Sequence, residues 1–74
     1  MGEISVMNQT GDEKLTWDPK NDFETQRAKD RFNALLKQGY KAYRVNHAGE
    51  KGEVITDFDP YAYEIVLHKI AVGG

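Results

Sequence analysis

The sequence predicts an α+β fold: a single helix packed on a mostly antiparallel sheet of four or five strands. In chain order this is two strands, a helix, then two or three strands (ββαββ(β)). Three observations predict it. Apolar residues alternate with polar ones at Ile4 and Val6, again at Leu15 and Trp17, and again over Val54, Thr56 and Phe58, a period-two pattern. Ala28, Phe32, Leu35 and Leu36 recur at i, i+4, i+7 and i+8, one stripe of an amphipathic helix. Tyr63 to Val72 is the most apolar stretch of the chain. One helix and several strands pack as two layers, helix on sheet.

The first pair of runs reads as a hairpin around Gln9-Thr10-Gly11-Asp12. A loop at Gly11-Asp12 sets Val6 opposite Trp17, and a loop at Thr10-Gly11 sets Val6 opposite Leu15; both keep the apolar set on one face. Pro19 cannot donate to a ladder, so the second strand ends near Trp17-Asp18-Pro19. The helix follows over about Asp22 to Gln38, capped by Asn21 or Asp22, with Glu24 at capping-box spacing from Asn21. Phe23 lies off the stripe and is expected to cover the end of the core from the first turn. Lys37 suits the negative end of the helix dipole, and Gly39 is the expected left-handed cap.

Tyr40 to Val45 then has the residues of a strand. His47 to Gly52 reads as an exposed loop, and Glu53 to Phe58 as a strand with Val54, Thr56 and Phe58 on one face. Asp59-Pro60 makes a turn with proline at its second position. Tyr63 to Val72 is apolar on both sides and belongs in the middle of the sheet. The expected core is Val6, Trp17, Phe32, Leu35, Leu36, Val54, Ile65 and Leu67.

All 74 residues form one domain, close to the lower size limit for a self-sufficient core. The chain has no cysteine, which removes disulfides and thiolate metal sites. No apolar run approaches the ~20 residues of a membrane span, and no signal peptide opens the chain, so a soluble cytoplasmic protein is the default. The net charge of −2 is unevenly placed: residues 1–26 balance to −4, residues 27–51 to +5 and residues 52–74 to −3.

Candidate chemistry is sparse. Ser5 is the only serine, and nothing local marks it as activated. His47 and His68 read as a solvated loop residue and a residue on the less buried sheet face. Asp57 and Asp59 lack the remaining oxygen ligands of a calcium loop, and Asp59 before Pro60 is explained as a turn former. Gly49-Glu50-Lys51-Gly52 has neither the length nor the setting of a phosphate loop. These readings lead to no enzyme activity, no cofactor, no metal and no small-molecule substrate.

The basic middle segment is the better lead. Arg27, Arg31, Lys41 and Arg44, with Tyr40 and Tyr43 among them, compose a cationic and aromatic interaction surface. An acidic chain with pI about 5.6 makes another protein, or a second copy, the first partner, with nucleic acid as the alternative.

Trp17-Asp18-Pro19, Ala42-Tyr43-Arg44-Val45, Phe58-Asp59-Pro60 and the terminal Gly73-Gly74 resemble a group of small uncharacterised proteins from phages and mobile elements. That resemblance implies an accessory or structural role without catalysis. The order of elements ahead of a Gly-Gly tail is also similar to the ubiquitin-like β-grasp. In that family the terminal glycine carboxylate is activated and conjugated, which implies such a role for Gly73 and Gly74 alone. Ala71-Val72 departs from the basic approach to the tail seen in ubiquitin.

Overall fold

The computed structural model describes residues 1–8 and 11–69. The chain runs through β1 (Gly2–Asn8), β2 (Gly11–Trp17), α1 (Asp22–Lys37), β3 (Tyr40–Val45), β4 (Lys51–Ile55) and β5 (Glu64–Lys69). The five strands form one sheet in the order β2-β1-β5-β3-β4, with α1 across one face. The expectations for Gly73-Gly74 and for the far end of the last strand lie outside the described residues.

The α+β class and the central position of the last strand agree with the sequence. The sheet, however, is mixed rather than mostly antiparallel: β1 and β5 are parallel neighbours, while β1–β2, β5–β3 and β3–β4 are antiparallel. Periodicity marks strands but carries no information about which strands adjoin. The parallel register has a packing reason. It sets Ile4 beside Ile65 and Val6 beside Leu67, and Ala42 continues the second row from β3. All five are buried under the helix.

The hairpin takes neither expected register. Asn8 pairs with Gly11, so Ile4 faces Leu15, Val6 faces Glu13 and Gly2 faces Trp17. Trp17 decides this. Its indole is fully buried against Gly2, where a β-carbon would overlap the six-membered ring. Only glycine admits the ring, so Trp17 cannot sit opposite Ile4 or Val6 in this packing.

Trp17 also joins two turns of like sequence. In Trp17-Asp18-Pro19 the Asp18 carbonyl accepts from Asn21 N at 2.8 Å, and in Phe58-Asp59-Pro60 the Asp59 carbonyl accepts from Ala62 N at 3.2 Å. Each aspartate side chain also accepts from the amide two residues on, Lys20 N and Tyr61 N, both at 2.9 Å. The indole Nε1 donates to the Pro60 carbonyl at 3.0 Å, and the Trp17 and Phe58 rings lie 5.0 Å apart. Phe58 also meets Phe32 edge-on at 5.8 Å, so the long segment before β5 is held on the core by aromatic contacts.

The helix begins as the sequence predicts. Asn21 is the N-cap, its side chain accepting from Glu24 N at 3.1 Å. Glu24 does not close a full capping box: its Oε1 accepts from Asp18 N at 3.0 Å, tying the helix to the preceding turn. Gln38 closes the helix, and Gly39 follows at φ +97°.

Three core assignments need correction. Val54 is 53% exposed, because β4 ends at Ile55 and turns Ile55, not Val54, toward the helix. Leu36 is half-buried at the edge of the core. Phe23 is 75% exposed and covers nothing, because the Trp17–Phe58 pair already occupies that end. Ala28, Ala42 and Ala62 are buried instead, small residues that let the layers approach closely.

Candidate functional site: the open face of the sheet

Strand alternation divides the sheet cleanly. Ile4, Val6, Leu15, Trp17, Ala42, Ile65 and Leu67 point to the helix. The opposite face carries Lys14 and Thr16 from β2, Glu3, Ser5 and Met7 from β1, Glu64, Val66 and His68 from β5, Lys41, Tyr43 and Val45 from β3, and Val54 from β4. No helix of the described chain packs over this face, but Ser5 and Val45 are nearly buried in it and Gly49 of the loop after β3 reaches its edge.

Its centre is apolar and aromatic. Met7 is 50% exposed and Val54 53%, while Val66 is half-buried between them. Tyr43 and His68 stack at 5.1 Å with their rings 12° from parallel. Met7, Val45, Gly49, Glu64, Val66 and His68 line a shallow depression beside this pair. His68 Nε2 is covered and has no hydrogen-bond partner among the described residues.

Charge is not confined to the ends of the face, since exposed Lys14 lies beside Ser5 in its middle. Glu3 and Glu64 are direct neighbours at one end. The Ser5 hydroxyl, almost fully buried, donates to Glu64 Oε2 at 3.0 Å and lies 3.4 Å from Glu3 Oε2. Exposed Lys41 stands at the other end, opposite His68. Ser5 thus holds two carboxylates at the acidic end rather than presenting a free hydroxyl.

The structure does not bring the six residues of the basic segment onto one surface. Lys41 and Tyr43 lie on the open face. Tyr40, three residues before Tyr43, has the opposite parity and packs against the core on the helix side. Arg44 is also on the helix side, where it pairs with Glu53 and with Asp59 Oδ2 at 3.1 Å. Arg31 reaches from the helix to Glu13 on β2 with two bonds of 2.9 Å. The hydrogen bond to Glu13 raises the Arg31 guanidinium pKa, against the opposing effect of burial. Arg27 is exposed on the helix. Both Arg31 and Arg44 are therefore engaged within the chain.

His47 is exposed, as expected of a loop residue, and its ring lies 4.1 Å from that of Tyr63. The turn around it is built by Asn46, whose Oδ1 accepts from Ala48 N and Glu50 N, with Gly49 at φ +78°. Asp59 serves its turn and Arg44, which accounts for both its oxygens. Among the described residues no three His, Asp or Glu side chains gather at one point, and no helix is long and apolar enough to cross a membrane.

Known proteins add nothing to this geometry. The chain matches no family model, no curated protein and no solved structure. The open face was within reach of sequence reasoning for β3, where Lys41, Tyr43 and Val45 share one parity. Met7 was missed because its parity is opposite to the apolar run of β1, and Val54 because its alternation with Thr56 and Phe58 assigned it to the core.

Proposed function

We propose that this chain is a small non-enzymatic protein-interaction module, and that its contact surface is the sheet face the helix leaves open. One observation carries the reading: Met7, Val54, Val66 and the Tyr43–His68 stack lie on the sheet face that the helix does not cover. Contiguous exposed apolar surface on a small domain marks a contact site more often than scattered residues do. Tyrosine at the centre and charges at the rim fit the anatomy of protein interfaces.

A β-grasp-like description of the fold is supported by the parallel first and last strands at the centre, a hairpin on each side and one helix across. The resemblance to small phage and mobile-element proteins fits an accessory role of this kind. A modifier role rests on Gly73 and Gly74 alone, and no described contact favours it.

Nucleic acid is the rival partner, and the pairing of Arg31 and Arg44 with carboxylates weakens it. Titration of labelled mixed-sequence DNA at about 50 mM and about 200 mM salt decides between them, since affinity falls by about 0.7–0.9 log units per log unit of salt for each phosphate contacted. The expected result is no tight complex at either salt. Tight binding that collapses at the higher salt contradicts the protein-contact reading.

A further inference from the structure

Residues 56–63, between β4 and β5, belong to no strand and yet carry the Phe58 ring onto the core. We infer that this segment is a strap, which lifts off the core as a unit while the strands on either side stay paired. Its lifting bares the Trp17 and Phe32 rings.

Little in its backbone holds the strap down. Among the described residues its one backbone–backbone hydrogen bond is internal, from Ala62 N to the Asp59 carbonyl at 3.2 Å. The Tyr61 amide also turns inward, to Asp59 Oδ1 at 2.9 Å. The strand that follows is held quite differently, since Glu64 to His68 pair with β1 on one side and β3 on the other. Segments with few backbone bonds to the body and few buried contacts open locally, well below the cost of global unfolding.

The remaining ties are made by side chains. Trp17 Nε1 donates to the Pro60 carbonyl at 3.0 Å. Arg44 reaches Asp59 Oδ2 at 3.1 Å, but both side chains are partly in water, and such a pair contributes little. Ala62 is nearly buried and Phe58 half-buried, while Thr56, Asp57, Tyr61 and Tyr63 are exposed. The strap is therefore fastened chiefly at Phe58, against Trp17 and Phe32.

Its internal bonds survive the lift, so the Asp59 turn moves as one piece. Ile55 and Glu64 hold its two ends, the first against Ala42 and the second against Glu3 and Val45. Trp17 and Phe32 are fully buried while the strap is closed. Once it lifts, the indole loses its acceptor and Nε1 meets water, which makes that proton the reporter.

Native-state hydrogen exchange of the full chain, in a urea series below the unfolding transition, tests the strap. The Trp17 Nε1 proton is expected to be protected less than the Ile65 and Leu67 amides and to respond only weakly to urea. A local lift exposes little surface, whereas freeing those amides requires the whole sheet to open. Val6→Ala, in the pairing of β1 with β5, is expected to speed exchange of the β5 amides roughly tenfold and leave the indole unchanged. Phe58→Leu is expected to speed the indole roughly tenfold. Should Val6→Ala fail to fold, the urea slopes of the wild-type chain decide alone. An indole proton with the same urea slope as the β5 amides overturns the strap, as does one that Phe58→Leu leaves unmoved.

Discussion

Gly2 and Trp17 show how much one pair of residues settles. A β-carbon at Gly2 would overlap the indole ring, so Gly2→Ala is expected to destabilise by about 1–3 kcal/mol, the range of an overpacked core. Urea denaturation measures this, and a change within about 0.5 kcal/mol would mean the ring is not seated against Gly2. Leu35 is 1% exposed, and Leu35→Ala is expected to cost about 2–5 kcal/mol by the same measurement. Val54→Ala, at a side chain half in water, should stay near the surface range of about 0.5 kcal/mol. The Arg31–Glu13 pair makes a different prediction. The hydrogen bond to Glu13 raises the arginine pKa in the folded state. Its stabilisation is therefore fully present below the unfolded-chain pKa and fades only as pH rises through the still higher folded value, far into the alkaline range. Arg31→Ala should accordingly lose no more than about 1 kcal/mol, equally at pH 6 and pH 8, and less in high salt. The identity of buried residues on the helix and on β1, β2 and β5 was largely legible from spacing. The hairpin register was not, because alternation is blind to whether a glycine or an isoleucine faces the tryptophan.

Local signals placed the elements well where a cap or a breaker stood at the boundary. Asn21, Gly39, Pro19 and Pro60 each act at the position their chemistry suits. Asn21→Ala should remove the bond to Glu24 N and cost about 0.5–2 kcal/mol, and Gly39→Ala should cost about 1–2 kcal/mol for a left-handed backbone. Denaturant midpoints check both, and an unchanged midpoint for Gly39→Ala would remove the left-handed cap from the account. The segment from Lys51 to Phe58 was read least well. Its alternation suggested one strand through Phe58, yet β4 ends at Ile55 and the register with β3 shifts between Tyr43 and Val45. The shift and the early end break the parity that alternation assumes. Phe58 therefore reaches the core from outside the strand while Val54 faces water.

Strand order belongs to the whole molecule, and no local pattern in the chain contains it. β5 lies between β1 and β3 because its two apolar faces suit the sheet centre, and its parallel pairing with β1 aligns Ile65 and Leu67 with Ile4 and Val6. The same placement brings Val66 and His68 to the middle of the face that the single helix leaves uncovered. Six candidate residues that sit close together in sequence are thereby distributed over the helix, its flank and both sides of the sheet. Residues from five separate strands are assembled in their place. The most direct measurement of this strand order is the set of interstrand NOEs of the full chain. The account predicts contacts between Ile4 and Ile65 and between Val6 and Leu67, the parallel register of β1 and β5. Contacts of Ile4 with Leu67 and of Val6 with Ile65, the antiparallel pattern, would contradict it.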